Sequence, residues 1–341
     1  MPKELTHFAL AEEGRKKIVT TLPGAAEILQ RNFTLFMVGS IICDSAYYQF
    51  PLLSKYKNIS HLSEAIHLPK GDLDTAFLTR LLKADFPGDE EGYLSFLSGI
   101  VSHYIVDKAY HPFVMHITGD YFDEDPARRK KAQGLHRFLE SLLDLWVVRK
   151  LGHSGKDTLN VPEKKDLPFK FLKPCLNLFV KAAMPDKGDD LTLHVSKCLY
   201  SKLRFELKMS ALYRMKPLRS LFPLFNRVSN NSLSHYAALF YPEETFLRLS
   251  FFEESFMFKN PLTGDKVKTS LEEITHYAID EIAIVISEIF SNFESRGRPY
   301  GKEKTLSCFT SPIMEINPEA QIGNKEELER SFAAFLGGRR L

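Results

Sequence analysis

Histidine and carboxylate side chains recur at intervals of four along two apolar stretches of the sequence. His103, Asp107 and His111 lie in YLSFLSGIVSHYIVDKAYHP, and His136, Glu140 and Asp144 lie in LHRFLESLLDLWVV. At about 100° per residue a helix turns only some 40° further with each such step, so each trio projects as one slanted row. Leu94, Leu97, Ile100, Val101, Tyr104 and Ile105 give the first helix a broad apolar surface, which puts its polar row inside the protein or along a cleft. Imidazole and carboxylate groups held away from water need partners, and together they suit zinc, iron or manganese rather than a thiolate-seeking metal. Facing rows on adjacent helices are how bundles assemble multinuclear sites. A lone His-x-x-x-Asp is also common as a surface ion pair, and the apolar setting of both rows is what favours a metal.

The elements that must position these rows are helical. Segments with a 3.6-residue apolar period recur to about Phe293, strand-like alternation is scarce and no repeat of 20 to 50 residues appears, so the chain reads as all-α. Helices are expected over Glu4 to Val19, from about Ala25 into Phe36, and from near Asp72 across LDTAFLTRLLK. The first row should form a helix that stops at Pro112. The second should start at Asp125-Pro126, N-cap and N1, and stop at Gly152. Residues 55 to 70 read as a loop and the proline-containing stretch 161 to 174 as a connector crossing the bundle. The helix expected over 189 to 216, with the stretch just after it, carries Lys202, Arg204, Lys208, Arg214, Lys216 and Arg219. This reads as a solvated face over a core, the alternative being a surface for membranes or acidic partners. Ser270 and Glu273 form a capping box before a last well-patterned helix. Residues 1 to 316 are expected to make one helical domain, and 317 to 341 a polar tail with one short helix at most.

Bulk properties narrow the function. A 44% hydrophobic content over 341 residues is ample for a core, and 45 basic against 43 acidic residues leave a net charge of +2. So weak a field argues against strong attraction to either nucleic acid or anionic lipid. The opening MPKELTHFALAEEG lacks a basic region followed by an apolar one, and no run reaches the ~18 apolar residues of a membrane span. Cys43, Cys175, Cys198 and Cys308 show no C-x-x-C spacing, so the expectation is a cytoplasmic protein without a cysteine-zinc site. Eight of the eleven histidines fall within the first 153 residues, and the chemistry is expected there.

Thr6-His7, Gly39 through Asp44 to Tyr48, His67, Phe96 through Pro112, and His136 to Glu140 follow one another in an order that resembles the zinc-dependent phospholipase C family. The likeness is closer to its intracellular bacterial-type members than to secreted toxins, and NPLTG at 260 to 264 is a weaker echo of it. The resemblance implies a phospholipase C/nuclease-like helical bundle around two or three zinc ions. Asp44, His67, His103 and Asp107 would hold one ion, and His111, His136 and Glu140 a second. His7 would hold a third and share Asp44 or Asp107 as a bridge. A carboxylate placed like Asp107 between two imidazoles of one helix can offer an oxygen to each of two metals, and His111, just before Pro112, would sit at a frayed helix end. Asp144 lies off the family's ligand set and reads as an acceptor for a histidine N–H or as a solvated acid. His61 reads as solvent-exposed, and His116 and His153 are left out of the ligand set, a surface or helix C-terminal dipole role being the default there. The implied reaction is hydrolysis of a phospholipid or small phosphodiester by a metal-activated water, with Asp44 as candidate general base and peripheral membrane contact. A phosphomonoesterase or nuclease on the same fold, and a non-catalytic protein with a coordinatively closed structural metal, are the alternatives.

Overall fold

The computed structural model of the chain describes residues 3–48, 59–66, 75–84, 88–121, 123–153, 167–215, 217–218, 221, 237–259, 266–294 and 322–336. Helices α1 (Glu4–Lys17), α2 (Pro23–Arg31), α3 (Phe33–Ser45), α4 (Ser60–Ile66) and α5 (Thr75–Leu82) lead into two long ones, α6 (Glu90–Thr118) and α7 (Pro126–Lys150). There follow α8 (Phe169–Ala183), α9 (Asp189–Tyr213), a 3-10 turn (Glu244–Arg248), α10 (Ser250–Glu253), strands β1 (Phe256–Lys259) and β2 (Lys266–Thr269), α11 (Leu271–Glu294) and α12 (Ile322–Phe335). The fold is all-α; the one sheet among the described residues is the antiparallel hairpin of β1 and β2, with Phe256 opposite Thr269.

The centre of the bundle is α6, every residue of which from Gly92 to Asp107 is buried. A helix that is apolar all round can only sit in a core. Asp89 starts it by accepting from the Gly92 N–H at 3.1 Å. Against it lies α3, and the two cross where Gly39 meets Gly99. A Cβ at Gly39 would stand 2.2 Å from the Phe96 carbonyl oxygen, and one at Gly99 would stand 2.1 Å from that of Phe36. Backbone therefore touches backbone, which only glycine permits. That crossing brings Ser40 and Asp44 of α3 beside His103 of α6. The other long helix, α7, begins where Asp125 accepts from Ala127 and Arg128 N–H at 2.9 and 2.8 Å, and it ends just before Gly152, whose φ is +74°. The capping box at α11 is present: Glu273 accepts from Ser270 N–H, and Ser270 Oγ accepts from Glu273 N–H. α1 lies across α6, α7 and α11.

Several expectations need correction. The single helix expected from Ala25 into Phe36 is two, because Asn32 turns its side chain back onto the Ile28 carbonyl at 3.2 Å and closes α2 there. Residues 60 to 66 of the expected loop are helical, with Leu62 and Ile66 buried and Ser63 Oγ donating to the Cys43 carbonyl. Pro112 does not stop α6. The missing N–H removes one bond, and the buried Phe113, Val114 and Ile117 carry the helix on to Thr118. Residues 169 to 174 of the expected connector begin α8, Pro174 included. The strands β1 and β2, four residues each, are too short to announce themselves by alternation.

The expected C-terminal tail holds α12, which docks on α7. Leu328 is fully buried, and the Phe332 and Phe335 rings each lie 5.1 Å from that of Phe138. These three anchors stand at i, i+4 and i+7, a spacing hidden by the polar residues between them. Lys202 is no part of a solvated face: it is buried, and its Nζ donates to the Ala46 and Tyr48 carbonyls at 3.0 and 3.3 Å, where α3 leaves carbonyls unmatched. His153 is likewise buried, 2.8 Å from Glu13 of α1. Lys216, Arg219, residues 260 to 264 and Cys308 lie outside the described residues.

Candidate metal centre

Asp107 stands where three histidines converge. Its Oδ1 is 3.5 Å from His7 Nε2 and 3.9 Å from His111 Nε2, and its Oδ2 is 3.2 Å from His103 Nε2. His103 Nε2 also lies 3.9 Å from Asp44 Oδ1. His7, His103 and Asp107, all buried, offer ligand atoms within 4.8 Å of one another. The second row meets the first at its far end: His136 Nε2 is 3.0 Å from Glu140 Oε1, and the His136 ring lies 6.2 Å from that of His111. The described structure thus brings seven of the eight candidate ligands into one chain of contacts through α1, α3, α6 and α7. His67 lies outside the described residues.

Two of the rings are aimed by a neighbour. The Ser40 carbonyl, exposed to α6 by the glycine crossing, takes the Nδ1 proton of His103 at 3.0 Å and leaves Nε2 to face the carboxylates. Thr118 Oγ1 lies 3.4 Å from His136 Nδ1, and the Tyr121 ring packs against the His136 ring at 5.0 Å. Asp144 is fully buried and takes no histidine; its acceptors serve α1 and Tyr241 instead. A carboxylate on the inner face of α7 finds backbone N–H groups of α1 closer than any imidazole.

Both ring nitrogens of His7 and Nε2 of His111 are buried with no hydrogen-bond partner among the described residues. Such atoms ordinarily cost about 1–3 kcal/mol each, and two of them, His7 Nε2 and His111 Nε2, converge on Asp107 Oδ1, which calls for a ligand. Imidazole nitrogen and carboxylate oxygen are the donors zinc takes in mixed sites. The residues fit a metal.

Their protonation reflects the same geometry. Burial pushes the His7 imidazolium well down, and the His103 ring, stacked 4.3 Å away, pushes it further. Burial also holds His111 down to about 3. At His103 burial acts downward too, but the carboxylates of Asp107 and Asp44 overcome it and hold the ring up to about 9. Two stacked imidazoles can carry one charge, and the proton settles on the ring facing two carboxylates. A metal must expel that proton, because only neutral imidazole ligates. The sign follows: affinity rises with pH while His103 is protonated in the free protein and levels off above about 9. Between pH 7 and 8.5 the logarithm of the affinity should climb with a slope of about one per metal-bound His103. Calorimetric titration in two buffers of different ionisation enthalpy reads this as proton release, and no release at pH 7 would contradict it.

Pattern reading passes over two acids beside this centre. Glu206 of α9 is buried and accepts from Ser45, next to Asp44; burial, Glu4 and Asp44 together hold its carboxyl well above the usual range. Glu4 is buried and accepts from the Tyr48 hydroxyl. A signal existed for Glu206, which falls with Leu199, Leu203 and Ser210 on the buried stripe of α9.

A family model described as zinc dependent phospholipase C matches residues 6–184. No curated protein and no solved structure matches the chain.

Proposed function

The chain belongs to the zinc-dependent phospholipase C family, whose model spans more than half of its length, and we propose that it hydrolyses a phosphodiester, either a phospholipid or a small soluble relative. The residues proposed to hold two or three zinc ions are His7, Asp44, His67, His103, Asp107, His111, His136 and Glu140. The observation that carries this reading is the division of Asp107, whose two oxygens face different imidazoles from α1 and α6. When bound, zinc supplies Lewis acidity toward the phosphoryl oxygens and acidifies the attacking water.

The protein's own groups do the rest. Asp107, 1% exposed, and His103, 0% exposed, form the dry floor of the site, while Asp44 and His111, each 13% exposed, face its solvent side. Asp44 is thus the carboxylate that a water and a phosphodiester can both reach, and its role is to take the proton of the attacking water. The Ser40 carbonyl keeps His103 from rotating as charge changes around it. Glu140 fixes the orientation of His136. Burial of the floor would strengthen each of these interactions by excluding water. No helix among the described residues is long and apolar enough to cross a membrane, so a lipid substrate would be met at a bilayer surface.

The test uses the full chain, purified and loaded with zinc, against an aryl phosphodiester, an aryl phosphomonoester and phosphatidylcholine vesicles. Diester cleavage that a chelator abolishes and zinc restores is the expected result, with diacylglycerol as product if lipid is the substrate. Preference for the monoester would move the protein to the alternative hydrolase class. A zinc-loaded protein inert toward all three would leave the metal a structural role.

A further inference from the structure

Asp144 follows His136 and Glu140 along α7, yet its four described hydrogen bonds all go elsewhere. Oδ1 accepts from the Thr6 N–H at 2.9 Å and the Thr6 hydroxyl at 2.6 Å, and Oδ2 accepts from the Leu5 N–H at 3.1 Å and the Tyr241 hydroxyl at 2.6 Å. The first N–H groups of a helix have no partner within it, and the residue just before usually caps them. Here that residue is Lys3, which offers no side-chain cap. Asp144 supplies the cap from a different helix, placing a carboxylate at the positive end of the α1 dipole.

The rest of the first turn of α1 is gripped by the same surfaces. Lys3 Nζ donates to Ser141 Oγ at 3.3 Å, close to Asp144 on α7, and to the Leu239 carbonyl. It also lies over the Tyr241 ring at 4.3 Å. Glu4 receives the Tyr48 hydroxyl at the end of α3. Residues 3 to 6 are all buried, and the next residue is His7. Nothing in His7's own ring nitrogens fixes it, because they have no hydrogen-bond partner among the described residues. Apart from stacking on the His103 ring at 4.3 Å, its place comes from the backbone that carries it.

We infer that Asp144 is a positioning residue for the metal centre: by capping α1 from α7 it sets the rotation and depth of the first turn, and so brings His7 to Asp107. The inference rests on the metal reading of the cluster. It makes α7 the bearer of two proposed ligands and of the anchor for a third. A cap serving stability alone would lower the melting temperature and leave metal binding intact, and this is the distinction to measure.

The experiment compares the full chain with Asp144→Asn, Thr6→Val, Thr6→Ser and His7→Ala. Asparagine keeps the shape but turns an amide toward N–H donors. Metal equivalents are counted by elemental mass spectrometry, zinc affinity is set by chelator competition, and cobalt(II) substitution reports coordination through its visible absorption. The expected result is a loss of roughly 10–100-fold in affinity for one class of ion in Asp144→Asn and Thr6→Val. Their cobalt spectra should change in the same direction as that of His7→Ala, with Thr6→Ser close to wild type. Should Asp144→Asn not fold, Tyr241→Phe removes one bond and leaves the backbone caps, and a several-fold loss of the same ion is expected. Wild-type affinity and spectrum in folded Asp144→Asn or in Tyr241→Phe overturn the inference. A wild-type chain that binds no metal overturns the metal reading itself, and the two failures are told apart by that control.

Discussion

Asp107→Asn should lower the zinc content of the protein and reduce phosphodiester hydrolysis by about a thousandfold. The substitution is nearly isosteric, so little packing changes around a side chain that is 1% exposed. What changes is charge and donor type. The amide presents one oxygen where the carboxylate presented two, and its NH2 group points at an imidazole that must itself donate electrons to a metal. His7, His103 and His111 all face this one group. Removing several kcal/mol of metal-derived stabilisation, about 4, corresponds to about three powers of ten in rate. The metal-free protein responds differently. His103 is held up to about 9 by Asp107 and Asp44, so the variant's ring should release its proton at lower pH, which spares the fold the cost of an unpaired buried charge. Zinc equivalents, kcat/KM on an aryl phosphodiester and an NMR titration of His103 read the three effects. Full zinc content in Asp107→Asn would remove Asp107 from the centre.

Gly99→Val should damage the fold and the site together. A Cβ at position 99 would stand 2.1 Å from the Phe36 oxygen and 2.8 Å from the Gly39 Cα, and neither is the flexible end of a side chain that can turn away. The helices must part instead. Overpacking in a core costs about 1–3 kcal/mol, and a backbone clash at the tightest helix crossing belongs at the upper end or beyond. Parting α3 from α6 also withdraws Asp44 and the Ser40 carbonyl from His103, now at 3.9 and 3.0 Å. Misplacement of about 1 Å is worth about a hundredfold in rate, so activity should fall further than stability alone explains. Gly24→Ala is the control: a Cβ there meets nothing within 4 Å, and the change should leave stability equal or slightly raised. Denaturant midpoints and zinc content of both variants decide it; a Gly99→Val protein with wild-type midpoint and full zinc would mean that the helices are not in backbone contact.

How much of this was legible depends on the range over which each feature is encoded. The rows 103–107–111 and 136–140 were readable because i, i+4 spacing and apolar neighbours are local facts, as were the caps at Asp125 and Ser270. The anchors Leu328, Phe332 and Phe335 were equally local and were missed only because charged neighbours dilute the period. Asp144 is another case. Its partners are N–H groups 138 and 139 residues away, and a backbone N–H leaves no mark in a sequence. Lys202 was misread for the same reason, since the carbonyls it serves lie more than 150 residues away. Gly39 and Gly99 fall within the motif segments, but their reason, a crossing of two backbones, needs both helices in place.

The gripping of α1 by later parts of the chain also bears on how the protein is made. His7 is made before the residues it must meet, and what seats its helix is Asp144, Leu239, Tyr241 and the face of α11. Contacts of such sequence separation form late, after the loops between them have closed. α1 must therefore wait on the ribosome until at least residue 241 has emerged. A nascent chain with α6 and α7 alone can gather His103, Asp107, His111, His136 and Glu140 but not His7. The proposed metal centre is in this way completed only after residue 241 has been made, and a product stalled before it is left without His7 in place.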